Sequence, residues 1–255
     1  MAEAFLHVVA VAGICATVAV SGALDAVSVE LGYEHYAEKP LRHLPAFIAM
    51  PFNSLVNLGY LVLGARWLLR TDLGSTQATY LKDVFAWMAL VYGPVQWLRL
   101  ATQARWVAVL DQWFTLPIFA WVPVWCDFIG HGWRPWYMIG VEVTSLGSFL
   151  LALLHARGFE ASLLCHIAFA IAQGFRAQRL IGDSTSRRYL WLAMLSCAGF
   201  VFLKLLDHEL ANLWAFRHLT GHFWSKVCDV LQFHFSFCFL THLTRRRTPR
   251  KARSE

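Results

Sequence analysis

Long apolar runs separated by short polar stretches make up nearly the whole chain. Runs at 5–24, 46–69, 82–100, 107–126, 136–155, 159–176, 189–206 and 222–243 each come close to the roughly 20 residues that an α-helix needs to cross a bilayer. The pattern predicts an all-α, polytopic membrane helix bundle with eight spans. Cleavage of the first run as a signal peptide would leave seven. Residues 1–7 lack the Lys or Arg with which such peptides start, so a retained helix is expected. Pro51 opens the second run, and Pro117 predicts a kink in the fourth. Residues 25–45, with His35 and His43, read as a loop, as do 183–188. The organisation expected is one transmembrane domain over 1–244 and a disordered basic tail over 245–255.

The last run, HFWSKVCDVLQFH, is not merely hydrophobic. On a helix, His222, Lys226 and Asp229 share one stripe, while Phe223, Val227, Val230, Leu231 and Phe235 cover much of the rest. Ionisable groups in a span are costly and usually face the bundle interior, a cavity or a partner. The eight-span topology gives this stripe company. Asn53 and Asn57 fall in the outer half of the second helix, Gln96 and Arg99 near the outer end of the third, and Asp111 at the matching end of the fourth. Asp207 and His208 close the seventh, and His222 and Lys226 open the eighth, with Asp229 a turn deeper. Scattered snorkelling residues need not agree in depth, so a shared polar pocket is predicted. Plainer roles stand beside it. Asn53 and Asn57, one turn apart, would also serve to bond neighbouring helices. His222 would serve as an interfacial histidine, and Lys204 would snorkel. Glu142 and His166 carry nothing beyond helix contacts.

Composition supports the membrane reading. The chain of 255 residues is 58% apolar and 15% charged, which excludes an ordinary soluble domain. Its 12 Trp suit anchors at both membrane interfaces. The net charge of +6 suggests nucleic acid only until it is located. Arg245, Arg246, Arg247, Arg250 and Lys251 crowd the final segment, together with Arg253. This marks a cytoplasmic tail in contact with anionic lipid, with Thr248 and Ser254 as modification sites that would weaken it. No nucleic-acid partner is expected; the bilayer is. Cations at 66–82 and 176–188 lie on the same side as that tail, which puts both termini in the cytoplasm. The six cysteines lie in or beside apolar runs without zinc or redox spacing and read as reduced packing residues.

The order PFNSLVN, LDQWFTLP, FLKLLDH, GHFWSKVCD resembles the alkaline ceramidases, part of a superfamily of seven-helix membrane hydrolases that includes the adiponectin-receptor-like proteins. The likeness spans about 46–243 and leaves 5–24 as an added first helix. The whole chain, notably YEHYAE, AMPFNSLVN, YLKDVFA, YGPVQWLRL and LTGHFWSKVCDVLQFHF, resembles the transmembrane protein 187 family, which has no assigned activity. The superfamily resemblance implies a zinc held by three His, one from the helix matching 82–100 and two from the last helix, with a Ser and an Asp. Asp111 matches the Asp and His222 the first His of the last helix. Lys226 stands where the second is expected, and the earlier helix offers Gln96, Arg99 and Leu100 but no His. A catalytic zinc generally takes three protein ligands, and a protonated Lys or an Arg has no lone pair to give. His222 is thus at most a lone ligand, unless Asp229 and Asp207 join it in a mixed zinc site. The expected outcome is an exchange of metal for charge, in which Lys226 and Arg99 neutralise Asp111 and Asp207 and the chemistry is lost. The function that follows is a non-catalytic membrane protein whose polar pocket binds a lipid or a membrane-protein partner. A metal-dependent lipid amide hydrolase is the alternative, and a transporter the second. The resemblance also implies an endomembrane, ER or Golgi, location.

Overall fold

A computed structural model describes residues 1–70 and 73–251, and among them it contains helices and no strand. Five helices are long and apolar enough to cross a bilayer. These are α1 (Ala2–Val20), α5 (Arg105–His131), the pair α6 (Pro135–Ser148) and α7 (Leu151–Leu154) that continue one another, α8 (Gly158–Ile181) and α9 (Ser184–Leu205). Three of the eight expected runs look different. The second is broken into α2 (Pro51–Leu55) and α3 (Leu58–Leu68), because turn-type bonds such as Gly59 N–H to the Val56 carbonyl interrupt the ladder at 56–57. The third, α4 (Thr76–Thr102), and the last, α11 (Gly221–Lys251), exceed a membrane's thickness and bury charges. Beyond the expected boundary at 244, α11 continues through 245–251, so this stretch of the basic segment is helical, not a disordered tail. Residues 252–255, including Ser254, lie outside the described residues, as does the Thr248 side chain.

Local chemistry sets the helix ends. The Ser75 hydroxyl accepts the Ala78 N–H at the start of α4, and Asp183 and Ser186 cap α9 reciprocally. Pro51 and Pro135 sit in the first turns of α2 and α6, where a missing N–H costs nothing. The turn from α4 to α5 passes through Gln103 in the left-handed region, with its side chain donating to the Leu100 carbonyl. Short α10 (Asp207–Leu210) precedes α11.

At the centre stands α5, buried along most of its length against α1, α4, α6, α8 and α11. The expected kink residue Pro117 lies inside it and the helix is not interrupted. Ala4, Val8, Cys15 and Ala19 form the buried stripe of α1, which packs on α4 and α5. The first helix is therefore part of the core. Across the bundle's middle, Trp67 stacks on Phe237 at 4.7 Å, and Phe85 packs on Phe233 and Phe237 at 5.1 and 4.6 Å. This aromatic slab separates two polar zones. One end holds the connections 21–50 and 206–220 and is called the loop end; the other holds the C-terminal part of α11 and is called the tail end. Exposed tryptophans mark both, Trp214 and Trp224 at the first and Trp136 and Trp191 at the second.

Candidate functional site

At the loop end, four helices, α3, α4, α5 and α11, converge on one set of polar side chains. Lys226, 5% exposed, donates its ammonium to the Asn57 Oδ1 at 2.9 Å and the Gln96 Oε1 at 2.5 Å. One turn deeper on α11, buried Asp229 accepts the Tyr60 hydroxyl at 2.5 Å. Arg99 and Asp111 form an ion pair at 2.5 Å between α4 and α5, and Arg99 also reaches the Glu30 carbonyl. The Tyr92 and Thr115 hydroxyls join at 3.2 Å beside it. A close approach makes the assembly feasible. A Cβ on Gly93 would lie 3.1 Å from the Asn57 carbonyl oxygen, so α4 presents bare backbone where the broken second run turns.

Carboxylates on the rim hold backbone rather than cations. Asp207 accepts the N–H of His222 at 2.6 Å in the first turn of α11 and that of Ala37 at 2.8 Å, where a negative group suits the positive helix end. Glu38 does the same for the start of α2, accepting from Phe52 and Asn53 at 2.9 and 2.8 Å. Burial raises the Glu38 carboxyl above its ordinary value, and those two N–H donors pull it partly back.

Several expectations change here. Lys226 pairs with neither Asp111 nor Asp207; two amide oxygens take its protons, because the break at 56–57 turns Asn57 inward. Asp207 is spent on backbone, leaving Asp111 to Arg99. His208 is exposed on α10 and stays out of the cluster. The His222 ring stands edge-on to Tyr36 at 4.7 Å and makes no hydrogen bond among the described residues. Asn53 gives its carbonyl to the Asn57 amide, while both its own side-chain atoms lack partners. Ser54, Ser225, Asp111 Oδ1 and Gln112 Oε1 are likewise buried without partners among the described residues. Such groups are rare in packed proteins, and each calls for an explanation.

The donor set does not fit a catalytic zinc. No group of three His, Cys, Asp or Glu able to hold a metal is assembled among the described residues. The chemistry agrees, since Lys226 offers protons where a ligand needs a lone pair. His222, Asp229 and Asp207 are engaged apart from one another, with Tyr36, Tyr60 and backbone amides respectively.

The tail end carries polar contacts that the linear pattern conceals. Lys82 and Asp83, each 1% exposed, pair at 2.7 Å; Lys82 also reaches the Trp67 carbonyl, and the Met1 ammonium lies 3.2 Å from Asp83. His7 joins Tyr80 at 2.5 Å and Glu142 at 2.6 Å, so Glu142 is tied to α1 rather than solitary. Asp183 binds His242 and Arg246. Its carboxyl lies below the usual range, held there first by the Ser186 backbone N–H and then by His242. Of the expected lipid-contact cations, Arg246 donates to the Ile181 carbonyl, and Arg247 to that of Phe128 while lying over its ring. These two clamp the ends of α8 and α5 instead of lying free on lipid. Arg245 is exposed; the side chains of Arg250 and Lys251 lie outside the described residues. Tyr60 was the detectable omission at the loop end, since it follows Asn57 by three residues and so shares its face.

The profile of the TMEM187 protein family matches residues 4–241. Transmembrane protein 187 of Homo sapiens is 59% identical over 240 residues, covering 94% of this chain and 92% of the human one. That of Bos taurus is 56% identical over 247 residues, covering 94% and 96%. No solved structure matches the chain.

Proposed function

We propose, from the premise that the chain belongs to the TMEM187 protein family, that this multi-pass membrane protein is a non-catalytic binding protein that holds a lipid headgroup in its loop-end cluster. One observation carries the reading: buried polar atoms without partners gather beside charges that are already balanced. Asp111 Oδ1 and Gln112 Oε1 accept, the Asn53 amide both donates and accepts, and Lys226 keeps a third proton beyond its two bonds. A headgroup with hydroxyl or amide functions matches that mixture. A shallow apolar seam of about 50 Å³ between α5, α8, α9 and α11, walled by Phe119, Ile167, Ala170 and Met194, offers an apolar surface on which an acyl chain would lie from outside. It reaches Gln232, about one turn along α11 from Asp229.

The hydrolase reading is less supported, because its ligand positions hold a lysine and a paired aspartate. A carrier is less supported, because the aromatic slab fills the middle and the break at 56–57 has no counterpart at a matching position of a second half. The distant likeness to the alkaline ceramidases makes the bundle a relative that kept the frame and exchanged the metal for internal charge pairs. The same proposal includes eight spans, both termini in the cytoplasm, and an endomembrane location. Epitope accessibility at each terminus in selectively permeabilised cells tests the sidedness.

For the binding itself, the protein is purified in mild detergent and its retained lipids are identified by mass spectrometry. One lipid class should be enriched over its share of the source membrane and lost from a Lys226→Met/Asp111→Asn protein that still folds. Equal profiles for parent and variant would sink the reading. Zinc bound stoichiometrically to the parent and lost in His222→Ala would return the hydrolase to first place.

A further inference from the structure

We propose that the tail end of α8 is a binding site for the headgroup of an anionic phospholipid. An open groove of about 580 Å³ runs along this helix, lined by Ala172, Phe175, Arg176, Arg179 and Leu180. Their spacing puts them on one face. Phe175 meets Trp191 of α9 at 5.9 Å, so the apolar floor continues on the neighbouring helix.

The groove takes its charge from its two arginines. Four other arginines are engaged: partly buried Arg99 by Asp111 and Arg247 by the Phe128 carbonyl and ring, and exposed Arg134 by Asp127 and Arg246 by Asp183. Arg176 and Arg179 are exposed, and neither lies within ion-pair distance of a carboxylate among the described residues. The nearest partner of Arg176 is His131 Nε2 at 3.5 Å, and that ring already gives Nδ1 to Asp127 at 2.8 Å. Asp183, at the start of α9, is taken by His242 and Arg246. Asp83 and Glu142 are held by Lys82 and His7, so none of these acids serves the pair.

Depth then selects the occupant. The 24 residues of α8 span about 36 Å, against a hydrocarbon core of about 30 Å. Arg176 and Arg179 lie five and two residues before Ile181, roughly 8 and 3 Å from the helix end. With the helix centred, the hydrocarbon boundary falls about 3 Å inside its end. Arg179 then stands at that boundary and Arg176 about 5 Å inside, from where its long side chain reaches up to the phosphates. Phe175 lies level with Arg176, and Ala172 one turn deeper among the acyl chains. Two guanidinium forks set at successive positions of a helix face suit phosphate oxygens. A zwitterionic headgroup brings its own cation to a site already positive, so the preference is for a net negative lipid. Arg187 and Arg188 add to the field at this end without lining the groove. This site is independent of the loop-end cluster.

The test uses the full chain in nanodiscs of equimolar phosphatidylserine and phosphatidylcholine, with lipids that remain attached on release counted by native mass spectrometry. The parent should retain phosphatidylserine preferentially. R176Q/R179Q should cut that preference more than tenfold, at about fivefold per arginine, while R187Q/R188Q should leave most of it. Where the double variant folds poorly by size exclusion, R179Q alone should give the fivefold loss. No preference in the parent, its survival in R176Q/R179Q, or its loss in R187Q/R188Q would each overturn the proposal.

Discussion

The two ends of the bundle both hold an interhelical ion pair, Arg99–Asp111 at the loop end and His7–Glu142 at the tail end, but differ in how they treat their other buried polar groups. At the tail end, Asp83 pairs with its neighbour Lys82 and with the Met1 ammonium of α1, His7 pairs with Glu142 across helices, and Arg246 and Arg247 close on backbone carbonyls. At the loop end, Lys226 is bound by neutral amides, acids such as Asp207 and Glu38 serve backbone N–H groups, and several buried polar atoms have no partner among the described residues. Unpaired buried polar groups lower stability. Trp67 Nε1 and Gln178 Oε1 stand singly toward the tail end, while at the loop end such atoms collect around Asn53, Asp111 and Ser225, and that collection separates site from scaffold. The tail end reads as a fastening. The loop end reads as a place prepared for something else.

Substitutions sharpen that contrast. Lys82→Met removes the nearer of the two cations beside Asp83 at an enclosed position, leaving the Met1 ammonium at 3.2 Å, and should cost about 3 kcal/mol of unfolding free energy, read by denaturant titration in detergent. Its retained lipid should be unchanged in the fraction that folds; a change would erase the distinction between the ends. Arg99→Met leaves Asp111 alone at the loop end and should cost about 3 kcal/mol, with bound lipid altered as well. Lys226→Met should cost less, about 1–3 kcal/mol, since it strands two neutral amide oxygens. Adding Asp111→Asn should deepen this loss. Rescue by the second change would reveal a direct Lys226–Asp111 pair and contradict the amide arrangement. Tyr60→Phe should cost roughly 1 kcal/mol, in the range of hydrogen bonds between membrane helices.

The smallest effect concerns Asp183, which is accessible to solvent. A carboxyl held below its ordinary value stabilises the fold fully above that value, about 3.9, and loses the contribution as pH falls through it toward the folded-state value. The melting temperature of the parent should therefore drop on acidification below about pH 4, and Asp183→Asn should start lower and drop less. Parallel curves for the two proteins would place the acid-sensitive group elsewhere.

Much of the scaffold is legible in the linear pattern. Runs of apolar residues near the membrane's thickness give helices because no other regular structure satisfies every backbone group in lipid. α8 lies close to the expected 159–176, whereas α9 starts at Ser184, so 184–188, expected as a loop, is its first turn; the capping pair Asp183 and Ser186 that starts it there is visible as residue types. The depth of Lys226, Asp229, Gln96, Arg99 and Asp111 also follows from chain order, since antiparallel helices of similar length bring matching ends together. The break at 56–57 is less visible, because Val56 and Asn57 carry no Pro or Gly and only the docking of Gly93 against that turn makes it favourable.

The sequence by itself determined the helical membrane class, the polar stripe of α11 and the level at which polar residues would meet. Tertiary structure alone decided who bonds to whom. Helical periodicity fixes the face and height of a side chain but not the rotation of the helix opposite. Lys226 therefore went to Asn57 and Gln96, Asp111 to Arg99, and Glu142 to a histidine on the first helix. Partners distant in the chain are chosen by packing, and packing is a property of the whole bundle.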